Sequence, residues 1–135
     1  MPTDPPPTPG PTPGPAPSPA PGSTPPPMNS FAEFWPFYLG EHLDPRNRWL
    51  HVCGTVGGLA VAAASVLSGW WWGLLLAPVL GYGAAWVGHF GIEKNRPASF
   101  ANPLWSLRAD FRLALFTLTG RLRAESERVG ARCRF

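Results

Sequence analysis

Apolar and polar positions are unevenly distributed along this chain. Positions 49–92 are 44 consecutive residues without an Asp, Glu, Lys or Arg. A helix packed at a water-exposed surface needs a polar face, so this block predicts a membrane-embedded segment. A helix needs about 20 residues to cross about 30 Å of hydrocarbon. The block therefore divides into spans at about 49–68 and 70–92. "LSGWWW" separates them: Ser68 and Gly69 suit a turn, and Trp70, Trp71 and Trp72 suit a membrane interface. The predicted element is a transmembrane helical hairpin. Gly54 and Gly58 form a GxxxG pair that Ala62 and Ser65 extend, facing Gly81, Ala84, Ala85 and Gly88 on the second helix. Pro78 is expected to kink that second helix.

The flanks show other patterns. "SFAEFWPFYL" is rich in aromatics and opens with Ser30 and Glu33 at capping-box spacing. It predicts a short helix at the membrane interface, kinked or ended by Pro36. After the turn-rich "NRPASFANP", Leu104, Leu107, Phe111, Leu115 and Leu118 recur at helical spacing. Ser106, Asp110 and Thr117 lie off that stripe. An interfacial amphipathic helix over about 104–119 is expected, ended by Gly120. The fold class is thus an all-α membrane protein, with a hairpin flanked by interfacial helices. Its domain, 30–122, lies between a Pro-rich tail at 1–29 and a charged cytosolic tail at 123–135.

Composition sharpens this division. Fourteen of the 19 prolines lie in positions 1–28, a segment too poor in large apolar residues to build a core and expected to be disordered. All eleven Lys and Arg residues lie outside 49–92, and none lies at the turn. The positive-inside rule then places both termini in the cytoplasm of an integral membrane protein. No basic stripe with interleaved aromatics suggests nucleic-acid binding. Cys53 and Cys133 do not read as a disulfide framework, and no signal peptide is expected.

Candidate chemistry rests on the three histidines, His42, His51 and His89. In the hairpin, His51 lies 18 residues before Gly69 and His89 lies 20 after it. At 1.5 Å per residue, both lie about 27–30 Å from the turn, at one membrane face. Glu93 stands one helical turn beyond His89, and His42 reaches the same level across "LDPRN". Imidazoles with a carboxylate suit Fe(II), and zinc accepts the same donors. The same residues also suit a plain membrane boundary, with histidines as amphipathic side chains and Glu93–Lys94 as a solvated helix end. A non-enzymatic membrane protein acting through helix–helix or lipid contact therefore stands beside a metal enzyme.

At these residues the chain resembles a known family. "FYLGEHLDPRNRWLHVCGT" contains H-x4-N-x3-H-x2-G, and "AWVGHFGIEKNRPASFANPLWSLRADFRL" contains G-H-x3-E-K-x2-P-A. The pair is similar to that of small membrane proteins including the fungal 2-hydroxy fatty acid dioxygenases of phytosphingosine breakdown. The resemblance implies Fe(II)-dependent α-oxidation, in which a 2-hydroxy fatty acid reacts with O2 and emerges one carbon shorter. By position it implies His42, His51 and His89 as iron ligands, with Glu93 as a ligand or an orienting group. It implies catalytic roles for Glu93 and Lys94, and substrate contacts from Lys94, Asn95, Arg96 and Asn47. The expected partners are the bilayer, the fatty acid, O2 and a possible second copy of the chain.

Overall fold

The computed structural model describes residues 28–131, 133 and 135. The Pro-rich segment read as disordered lies outside them, apart from its last residues. Among the described residues the fold is all helical, with no strand.

Helix α1 (Phe31–Gly40) starts at the expected capping box. Ser30 Oγ accepts from the Glu33 N–H at 3.3 Å, while the Glu33 carboxylate takes the Ser30 hydroxyl and the Asn29 N–H. The helix runs through Pro36 to Gly40. Helix α2 (Pro45–Ser68) begins at Asp44, whose side chain accepts from the Arg46 N–H, with Pro45 in the first turn where no N–H is needed. It stops at Gly69, which takes the left-handed conformation (φ 72°) open to glycine. Trp70, Trp71 and Trp72 form the turn, and α3 (Gly73–Val87) follows.

The sequence pattern implies one continuous helix to residue 92. Instead α3 passes into a π-helical turn at Gly88–Glu93, closed by Lys94 in the left-handed conformation (φ 56°). A 3-10 turn (Ala98–Phe100) leads to α4 (Pro103–Leu118), and α5 (Leu122–Arg128) follows Gly120 (φ 69°).

Helices α2 and α3 pack in opposite directions through the small residues expected. A methyl group built on Gly54 would lie 2.8 Å from Ala84 Cβ, and one on Gly58 would lie 2.9 Å from the Ala77 carbonyl oxygen. Near the other end of α3, a Cβ on Gly88 would come within 1.9 Å of Asn47 Oδ1. Both helices are long and apolar enough to cross a membrane. Their large side chains, among them Leu59, Leu67, Leu75 and Val79, point outward rather than into a core.

The conventional core lies at the other end of the molecule. Phe34, Trp35, Phe37, Tyr38 and Leu39 of α1 are buried against Ala109 and Leu113 of α4 and Leu122 of α5. The aromatic run assigned to a membrane interface is therefore interior: it supplies the bulk that α4 and α5 cover. Segment 123–135, read as a charged tail, includes most of α5. There Glu125 is buried, accepting from Trp35 Nε1 (2.8 Å), Arg112 Nη2 (2.7 Å) and Arg128. Helix α4 shows the expected amphipathic split, with its apolar stripe outside. Leu104 is 79% and Leu115 60% exposed, while Ser106, Ala109 and Leu113 are buried.

Two predictions follow from this packing. Gly88→Ala pushes a methyl into Asn47, whereas Gly83→Ala meets nothing within 4 Å. Thermal unfolding in detergent should show the first destabilised by about 1–3 kcal/mol and the second unchanged. The Arg128 guanidinium, hydrogen-bonded to Glu125, lowers the Glu125 carboxyl to about 2, helped by Trp35 against the opposing effect of burial. Its stabilisation is complete above the ordinary value near 4.5 and fades as pH falls towards 2. Glu125→Gln should cost about 2 kcal/mol at neutral pH, since exposed Arg128 is screened, and the difference from wild type should shrink on acid titration.

Candidate metal centre

The three histidines come from three elements. His42 follows α1, His51 is two turns into α2, and His89 lies in the π-helical turn. All are buried, at 0%, 4% and 2% exposure respectively. One ligand nitrogen from each lies within 4.8 Å of the other two. Ring centroids are 4.3 Å apart for His42–His51, 4.6 Å for His42–His89 and 5.2 Å for His51–His89. The wider π turn and the reversal at Lys94 bring the Asn95 N–H back to the His89 carbonyl at 3.1 Å, placing the Asn95 side chain beneath the His89 ring.

Each ring is held at Nδ1 by a group that accepts. His42 Nδ1–H donates to the Tyr38 carbonyl (2.5 Å), His51 Nδ1–H to Asp110 Oδ1 (2.7 Å) and His89 Nδ1–H to Asn95 Oδ1 (2.7 Å). Asn95 is oriented in turn, because its Nδ2 donates to the carbonyl and Oε2 of Glu41. Tyr38 Oη donates to Asp110 Oδ1. Burial, with the Asp110 carboxylate beside it, raises the Tyr38 phenol well above its ordinary pKa and keeps that proton in place.

With the Nδ1 proton donated in this way, the neutral tautomer of each ring leaves Nε2 as a bare lone pair. Burial, reinforced by His51 and His89, lowers the His42 pKa well below its ordinary value, so His42 is neutral near pH 7. Yet His42 Nε2 and His51 Nε2 lie only 3.1 Å apart. Two lone pairs do not bond each other. The distance does match adjacent donors on one cation with metal–nitrogen lengths of about 2.0–2.1 Å. The chemistry of the donor set thus fits a metal ion: three buried imidazoles, each backed by an acceptor that raises its basicity.

The other predicted residues take different places. Glu93 is not among the three clustered donors. Its Oε1 accepts from the Asp44 N–H (2.6 Å) and, more weakly, from Asn47 Nδ2 (3.4 Å), linking the π turn to the start of α2. Asn47 is fully buried against Gly88. Asn95 joins the cluster through His89, and Lys94 and Arg96 are exposed. Sequence reasoning missed Glu41, Tyr38 and Asp110 as supporting groups. Asp110 left a readable signal, since it is the only carboxylate on α4 and stands off the apolar stripe.

The chain belongs to the Mpo1-like family: the family's profile, described as 2-hydroxy-palmitic acid dioxygenase Mpo1-like, matches residues 28–122. No curated protein and no solved structure matches the chain.

Asp110→Asn keeps the side-chain shape but removes the carboxylate behind His51. Its metal affinity, measured by chelator competition, should fall 10- to 100-fold with helicity unchanged.

Proposed function

We propose that this member of the Mpo1-like family is a membrane-embedded, Fe(II)-dependent dioxygenase that shortens 2-hydroxy fatty acids by one carbon. The observation that carries this reading is the meeting of three buried imidazole nitrogens, with each ring anchored at Nδ1. His42, His51 and His89 would hold the ion, which when bound supplies O2 activation and a positive charge for the substrate carboxylate and hydroxyl. In the net reaction, a 2-hydroxy acid and O2 give the next shorter acid, CO2 and water. The bond between the carboxyl carbon and the hydroxyl-bearing carbon breaks, and that second carbon becomes the new carboxyl.

The chain's own residues set the conditions for this chemistry. Three neutral donors leave most of a divalent ion's charge available to an anionic substrate, with Asp110 the nearest compensating carboxylate, on His51. Burial of the three rings keeps bulk water from the reacting carbon. Glu93 acts as a positioning group, fixing the start of α2 against the π turn so that His51 and His89 keep their spacing. Exposed Lys94 and Arg96 meet headgroups and draw the fatty acid carboxylate to the surface. In this reading α2 and α3 span the bilayer as a hairpin, with the tryptophan turn at the far interface. The α1–α5 core and both ends of the chain lie on the cytoplasmic side, and the stripe of α4 rests in lipid.

Full-length protein purified anaerobically in detergent should carry about one iron per chain. It should consume O2 with 2-hydroxypalmitic acid but not with palmitic acid. His51→Ala and His89→Ala should lose both properties; protein without metal, or variants with unchanged metal content, would sink the proposal. Zinc in place of iron, with no O2 uptake, would sink the redox reading.

A further inference from the structure

A cavity of about 230 Å³ lies between α2, α3 and α4, with almost entirely apolar walls. On α2 it is lined by Thr55, Gly58 and Ala62, which recur at three- and four-residue steps along the face that begins with His51. From His51 to Ala62 this face runs about 16 Å. Leu59, Leu107 and Phe111 also line the cavity and are themselves exposed, so it opens sideways rather than towards the polar cap.

Tyr82 and Asp110 line this cavity and also a separate void of about 10 Å³ beside His51 and His89. The smaller space is also lined by Ser106, which is 3% exposed and whose hydroxyl has no hydrogen-bond partner. A buried unpaired hydroxyl costs about 1–3 kcal/mol unless something pairs with it. The apolar trough therefore runs from an open flank to Tyr82 and Asp110, which also border a water-sized void lined by the unpaired Ser106 hydroxyl and two of the three histidines.

We infer that this trough is the acyl-chain subsite, admitting a fatty acid sideways from the bilayer with its head directed past Tyr82 and Asp110 towards Ser106 and its tail along α2 towards Ala62. The inference rests on the proposed dioxygenase reading for the identity of the head group. The small residues that let α2 and α3 approach also leave the trough wide. Ser106 Oγ pairs with the polar head, and Ala62 marks the depth the tail reaches. A longer side chain at Ala62 therefore shortens the preferred substrate, by about fourfold in affinity for each methylene displaced.

The test uses full-length protein in lipid nanodiscs, with metal content measured in every sample. The probe is 2-hydroxypalmitic acid carrying a diazirine at its terminal carbon. Irradiation should label Leu59 and Ala62 saturably, and unlabelled 2-hydroxypalmitic acid should compete. Ala62→Phe should reduce labelling by the 16-carbon probe at least tenfold and spare a 12-carbon probe. Thr55→Leu, nearer His51, should weaken both probes. Ser106→Ala should cut the preference for the 2-hydroxy acid over palmitic acid about fivefold. Unsaturable labelling of outward-facing Leu75 and Val79, or indifference to Ala62→Phe in metal-loaded protein, would overturn the subsite. Saturable labelling without O2 uptake supports the subsite and overturns the dioxygenase reading. O2 uptake with only outer-face labelling does the reverse.

Discussion

Three imidazoles gathered around one buried space set the terms for the rest of this fold. Buried polar groups ordinarily find partners, and with both rings neutral and donating from Nδ1, His42 and His51 present unprotonated Nε2 atoms to each other at 3.1 Å. That contact persists only because every ring is held from behind. The Tyr38 carbonyl holds His42, Asp110 holds His51, and Asn95, itself held by Glu41, holds His89. Those holding groups need α1, α4 and the π turn in fixed positions. The aromatic packing of α1, the interlock of Asn47 with Gly88 and the buried Glu125 cluster meet that need.

Local features were legible in the sequence where one physical rule decides them. The capping box at Ser30, the glycine stop at Gly69 and the small-residue contacts between α2 and α3 follow from short spacings. The level of His51 and His89 follows from helix rise on either side of a recognisable turn. Long-range pairings were not legible. Glu125 meets Trp35 across 90 residues, and Asp110 meets His51 across 59. No periodicity within either segment reports such a partner. The aromatic run of α1 was misplaced for a related reason. Phe, Trp and Tyr suit a membrane interface and a protein core alike, and only the helices laid over them decide between the two.

Glu93 shows where spacing misleads. Four residues after His89 on an ideal α-helix it would share that residue's face. The π turn alters the angular step per residue, and the Glu93 carboxylate goes to the Asp44 N–H while Asn95 takes the place behind His89. The glycine at position 88 leaves no side chain where Asn47 sits, and Lys94 bears the backbone strain of the reversal.

Helix α4 turns its leucines outward and its aspartate inward, the reverse of a helix on a water-soluble protein. In lipid that arrangement is favourable. In water the exposed Leu104, Leu107 and Leu115 would favour rolling the helix over, which would draw Asp110 away from His51. The chain thus links the arrangement of its histidine cluster to its surroundings. Surroundings that favour the rolled helix would leave the His51 ring without the acceptor at its back, and any ion shared by the three rings would be held less tightly.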